Sequence, residues 1–326
     1  MAARARASQD SRAEHGHAGT GWHDPRMRSL RFAAVLSLAA IVVRGQGRVL
    51  DVIDGETLYE GGSLATFSVG LERQEKLRQG SESIADPTAS HRFTVMTALA
   101  YQYGLRNNVQ VGLALPYVAI EHEFLGGQEV AAGLGDVELL GKWRFHRWDA
   151  PGVAINTALI GMLSLPTGDD DDGSGGVEFD PEQQVGSGGV DPSIGLAITP
   201  EPGRWRFNLA GIYRIHTDTD GDGDQLGDSF FAEIAIGNRF WLEPYPGPFM
   251  RLDLFAHYEH ENRDAVDGQL LADSGGERVS VGATWAFRPR PSLDFQLTGE
   301  VPVWRDVNGT QLDEDWSVQF SFGHRF

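Results

Sequence analysis

The 326-residue chain has no cysteine. It can therefore form no disulfide and no thiolate metal site, and cysteine usage says nothing about its redox compartment. It also lacks any apolar run near the ~20 residues a membrane-crossing helix needs, and its overall hydropathy is negative. That argues against a helical membrane protein but not against a barrel, because barrel strands turn only half their residues to lipid. Basic residues are scarce: 27 Lys and Arg face 46 Asp and Glu, a formal charge of −19. Nucleic acid is therefore an unsuitable partner. Catalytic motifs are missing too. His216, His257 and His260 fall near strand ends, but no Ser sits beside them in a nucleophile motif, so no enzyme is expected.

What is present is glycine, at 41 residues, with 10% aromatics. That mix suits many strands, tight turns and a crowded barrel interior. From Ser63 onward apolar and polar residues alternate with the two-residue period of a strand. Ala65, Phe67, Val69 and Leu71 form the first apolar row. Val137, Leu139, Trp143 and Phe145 form a later one, with Asp136, Glu138, Lys142 and Arg144 on the opposite face. Such rows recur through residue 326 and predict an all-β, 12-stranded antiparallel up-and-down transmembrane β-barrel over residues 63–326. The last row, Trp316, Val318, Phe320, Phe322 and Phe326, resembles the closing strand of bacterial outer-membrane barrels. That resemblance implies recognition by the barrel-assembly machinery and a place among outer-membrane lipid and lipopolysaccharide.

The connections alternate in length. Long polar loops are expected near residues 75–90, 125–133, 166–189, 217–228, 260–277 and 304–315, and tight turns, most holding proline, between them. Extracellular loops and periplasmic turns differ in this way in outer-membrane barrels. The six loops carry 25 acidic and only 4 basic residues. The net negative charge is thus concentrated at one end, where it biases which solutes approach.

Ahead of the barrel, Met27–Arg31 followed by the apolar Phe32–Val43 reads as a secretory signal peptide over residues 27–45. Residues 1–26 read as an upstream extension, and residues 46–62 as a short periplasmic lead, with the mature chain starting near Gln46.

Several Gly-rich motifs then occur in a fixed order. Thr57–Gly62 leads into the first strand; Gly133-Leu-Gly-Asp-Val-Glu138 opens the fourth; Leu165-Pro-Thr-Gly168 closes the fifth; Gly188-Gly-Val-Asp-Pro-Ser193 opens the sixth. This order resembles the meta-pathway phenol-degradation family of outer-membrane β-barrel transporters, over most of residues 57–326. The resemblance implies a channel for small molecules, aromatic or hydrophobic ones among them. The alternative is a plugged structural barrel whose acidic extracellular loops bind divalent cations or surface partners.

Asp218, Asp220, Asp222 and Asp224 imitate the start of an EF-hand loop, but position twelve is Ser229 rather than Glu and strands flank the segment. No cofactor is expected; a loose Ca²⁺ or Mg²⁺ site is the alternative to a plain acidic loop. The inward faces should bring Asp136, Glu138, Lys142, Arg144, Arg206, Arg214, Glu233, Arg239, Arg251, Asp253, Glu259, Arg278 and Glu300 to the lumen. With the N-terminus periplasmic, Lys142, Arg144, Arg206, Arg239, Arg251 and Arg325 fall in the inner half. These charges either pair to fill a narrow bore or make an electrostatic gradient along a solute path. Two lipid-facing aromatic belts are expected. One holds Tyr101, Phe145, Trp205, Phe249, Trp285, Phe287, Phe295 and Phe326; the other holds Tyr117, Tyr213, Tyr258 and Trp316.

Overall fold

The computed structural model describes residues 53–169, 173–174, 177–178, 184–217 and 225–326. The signal peptide and upstream extension read from the sequence, the start near Gln46, and Asp218, Asp220, Asp222 and Asp224 all lie outside these residues.

Among the described residues, eleven strands form one antiparallel ring. They are β1 (Ser63–Gly80), β2 (His91–Arg106), β3 (Val109–Phe124), β4 (Val137–Ala150), β5 (Val153–Leu165) and β6 (Asp191–Pro202). There follow β7 (Trp205–Arg214), β8 (Ser229–Leu242), β9 (Phe249–Glu261), β10 (Gly276–Arg290) and β11 (Leu293–Arg325). Each pairs with its sequence neighbour, and β11 returns to pair with β1 from Leu64↔Arg325 up to Gly80↔Val307. Closure leaves no edge, and every wall residue can satisfy its backbone within the sheet, which a lipid environment demands. The chain is therefore a closed antiparallel barrel.

Two connections expected as loops are strand instead. Gly127–Leu134 pairs with the upper part of β3 from Phe124↔Gly127 to Tyr117↔Leu134, and residues 304–315 lie inside β11. Ladder bonds come from the backbone, so polar side chains do not end a hairpin that projects beyond lipid.

Alternation sorts the side chains as the pattern requires. Leu99, Leu113, Leu139, Leu159, Leu196, Leu209, Ile234, Leu254, Val281, Leu297 and Val318 are all exposed on the outer face. Tyr101, Phe145, Trp205, Tyr213, Trp285 and Trp316 are exposed with them. Phe249 departs from expectation. It shares a face with Arg251 and Asp253 and turns inward, beneath the guanidinium groups of Arg239 at 5.9 Å and Arg288 at 4.8 Å. A residue two positions from an inward arginine cannot face lipid in a regular strand.

Candidate functional site

The lumen is the candidate site, and its two sides differ. On β2 to β7 the inward row is apolar: Ala100, Ala114, Leu140, Ile160, Met162, Ala197, Ala210 and Ile212 make one buried cluster. Small and branched side chains there leave no polar group to desolvate. The opposite side, on β9, β10, β11 and β1, is charged. Arg278 donates to Glu259 and faces Asp313 and Glu314, each at 3.4 Å. His257 stands 2.6 Å from Glu300.

The segment before β1, expected as a periplasmic lead, enters this bore at the short-turn end. Gly61 N donates to Gly104 O at 2.8 Å, Leu58 N to Gln110 Oε1 at 2.8 Å, and Gly55 N to Thr199 Oγ1 at 2.8 Å. Asn208 Nδ2 donates to the Ile53 carbonyl at 2.6 Å, and the Ile53 side chain packs on the apolar cluster. Asp54 bridges Lys142 and Arg206, each at 2.7 Å. Burial opposes the Asp54 carboxylate, but the charges of Lys142 and Arg206 outweigh it and hold its pKa below the ordinary range. Glu56 is pushed the other way, first by burial and then by Asp54.

The sequence pattern could not show this plug. Residues 53–62 have no strand period, and the inward charges that receive them were legible only as wall.

A second segment closes in from the long-loop end. Val185 packs with Met96, Val118, Ile120 and Ala131 in a separate buried cluster. It is held there by Asp136, whose carboxylate accepts from Thr167 N at 3.1 Å, Gly168 N at 2.9 Å, and Ser187 N at 2.8 Å and Oγ at 2.7 Å. The backbones cross so closely that a Cβ on Gly168 would stand 2.7 Å from Gly186 Cα. Two of the Gly-rich motifs of the family resemblance, Gly133–Glu138 and Leu165–Gly168, thus meet Gly186 and Ser187 in one clamp.

Two cavities lie in the bore, one beside the plug and one beneath the clamp. The inner one, about 220 Å³, is bordered by Asp54, Arg206, Phe249, Arg251, Phe255 and Asp294. The outer one, about 170 Å³, is bordered by Met96, Ile120, Val185, Arg214, Phe231 and Arg278. The His257 ring lies 5.0 Å from Phe231 and stacks on Phe255 at 6.1 Å, so three rings stand between the two spaces.

Each of the thirteen charged residues expected in the lumen is buried or half-buried, and most are paired. Glu138 meets Arg214 at 2.9 Å, and Arg251 meets Asp253 at 2.7 Å. Arg239 reaches Glu201. Arg144 donates to the Asn107 carbonyl at 2.5 Å. Glu233 accepts from Asn208 at 3.2 Å. Asp136 is spent on the clamp. Of the inner-half basic groups, Lys142 and Arg206 share Asp54, Arg239 reaches Glu201, Arg251 meets Asp253 and Arg325 meets Asp294.

Residues 87–306 match the family described as "Putative MetA-pathway of phenol degradation". Among solved structures, the chain is similar to an outer membrane channel from Pseudomonas putida F1, with 15% identity and a TM-score of 0.67. The match covers 84% of this chain and 98% of that one. At that identity the likeness establishes the outer-membrane barrel fold and nothing finer. The β domain of the Bordetella autotransporter BrkA is also similar (11% identity, TM-score 0.47, covering 82% and 100%). So is the CymD monoaromatic hydrocarbon channel (9% identity, TM-score 0.40, covering 89% and 95%). Both scores are too low to carry an argument. No curated protein matches the chain.

Proposed function

The chain belongs to this MetA-pathway phenol-degradation family, and from that premise we propose that its barrel is an outer-membrane channel for passive uptake of small molecules, aromatic and other apolar solutes preferred. The apolar stripe from Ala100 to Ile212 carries the reading. A wall that served only to fill a bore could pair charges all round, as β9 to β1 do. An apolar stripe facing inward instead offers a surface along which an uncharged ring loses little solvation. Its members are covered in this conformation, Ile160 to 1% exposure, with Ile53 packed against them. Conduction therefore requires the plug to move.

We count twelve strands in the functional barrel. β11 is antiparallel to β10 from Leu293 to Val307, and antiparallel to β1 from Val307 to Arg325. Those pairings make its two halves run in opposite directions, reversing at Asn308-Gly309, where Gly309 has φ 58°. An even count with both ends on one side suits a single-chain outer-membrane barrel.

The occupied bore favours a second reading, a structural barrel that never opens. Purified protein in liposomes separates the two. Uptake of an uncharged aromatic faster than that of a sugar of similar size supports the channel. Impermeability, persisting after residues 53–60 are deleted, supports the plugged barrel.

A further inference from the structure

Asp54 sits in the lumen as a ligand would. Its Oδ1 accepts from Lys142 Nζ at 2.7 Å and from Glu56 N at 3.1 Å, and its Oδ2 accepts from Arg206 Nη2 at 2.7 Å. Lys142 also donates to the Glu56 carbonyl at 2.8 Å. The receiving cations are built into the wall: the Lys142 side chain is 2% exposed and that of Arg206 11%. One donor is left over. Arg206 Nε is buried and has no hydrogen-bond acceptor among the described residues; the Glu201 carboxylate stands off at 3.9 Å. Asp54 meets only one arm of the guanidinium fork, whereas a carboxylate free to orient can take both Nε and Nη2. Beside the pair lies the inner cavity of about 220 Å³, with Phe249 and Phe255 in its lining. An apolar cavity of about 150 Å³ is enough for a benzene ring.

We propose that Lys142 and Arg206 form a binding site for small monocarboxylates, occupied at rest by the chain's own Asp54, so that an incoming carboxylate competes with Asp54 and releases the plug. The proposal rests on the channel reading, because a latch has a role only where the lumen conducts. Thermodynamically the solute shifts the plug only by its preference for the open state. That preference is supplied by the second Arg206 hydrogen bond and by ring contacts in the cavity. Asp54 is tethered, so its local concentration is on the order of millimolar or higher, and competition needs solute in that range.

The absence of cysteine gives a direct reporter of plug position. Ile53→Cys places the single thiol of the chain under the apolar stripe, where a membrane-impermeant maleimide should react slowly. In full-length protein in detergent, benzoate should raise the labelling rate about tenfold, the worth of one charge-assisted hydrogen bond. Benzamide, which keeps the ring and loses the charge, should not, and neither should chloride at equal ionic strength. Adding Asp54→Asn should raise the basal rate and remove most of the benzoate effect. This substitution lies outside the barrel wall, and heat-modifiable gel mobility checks that the wall is intact. Equal rates in benzoate and benzamide, or an Asp54→Asn protein indistinguishable from its parent, would overturn the carboxylate site. Because labelling needs no conduction, a benzoate response in a barrel that never conducts would keep the site and discard the channel.

Discussion

Gly55 lies so close to Asn156 that a Cβ added to it would stand 2.3 Å from the Asn156 carbonyl oxygen. The obstacle is wall backbone, which cannot yield as a side-chain tip could. Glycine is therefore required for the plug to seat and donate from Gly55 N to Thr199. Gly55→Ala should unseat residues 53–58 while leaving the ladder untouched. Single-channel recordings should show more frequent or larger openings than wild type, with unchanged heat-modifiable mobility. Closed recordings identical to wild type would mean that the segment does not block the bore.

The opposite end makes a separate prediction. Asp136 accepts four hydrogen bonds from the fifth strand's exit and from Ser187. Each bond to a charged acceptor contributes about 1.5–3 kcal/mol, so Asp136→Ala should release Val185 from its cluster. A Val185→Cys reporter should then label much faster than in the Asp136 parent, and the outer cavity should admit larger solutes. Unchanged labelling would show that apolar packing of Val185 alone holds the connection in.

Much of this was legible in the sequence. The period-two rows of β2, β3 and β7 needed only alternation, and alternation also turned Lys142, Arg206 and Arg278 inward. Phe249 turns inward because its parity with Arg251 in the strand overrides the preference of an aromatic ring for the lipid interface. The strand Gly127–Leu134 is hidden because its glycines and its Val130-Ala131-Ala132 run break the apolar–polar alternation. The plug was hidden for a deeper reason. It is held by main-chain donors and acceptors and by the carboxylates of Asp54 and Glu56, the latter 3.6 Å from Arg206, and no periodicity marks a segment that packs largely through its main chain.

Acidity should leave the latch in place across the mild range. Asp54 is held below its ordinary value of 3.8 by Lys142 and Arg206. A depressed carboxylate contributes its hold above the ordinary value and loses it only as pH falls through the depressed one. Glu56 is raised above 4.5 by burial and by Asp54, so it takes up a proton first, and that protonation relieves repulsion rather than breaking the latch. Labelling of Ile53→Cys, corrected for intrinsic thiol reactivity, should stay flat or fall slightly from about pH 7 to about pH 5. A steep rise within that window would show that Glu56, not Asp54, fixes the plug.

The apolar stripe makes the last prediction, and it concerns solute choice. Ala114, Leu140, Ile160 and Met162 lie on adjacent strands of one inner wall. An uncharged ring passing over them exchanges water for apolar contact at about 25 cal/mol per Å² buried. Met162→Gln keeps the length of the side chain and adds an amide that must be desolvated whenever a ring covers it. With the plug segment deleted, so that seating is not in question, this substitution should slow liposome uptake of an uncharged aromatic several-fold. Uptake of a small sugar, which keeps its water, should hardly change. Ile160→Val, which alters volume but not polarity, should leave the ratio of the two rates near wild type. If Met162→Gln slows both solutes equally, the stripe sets bore width rather than preference, and the selectivity assigned to it fails while the channel itself stands.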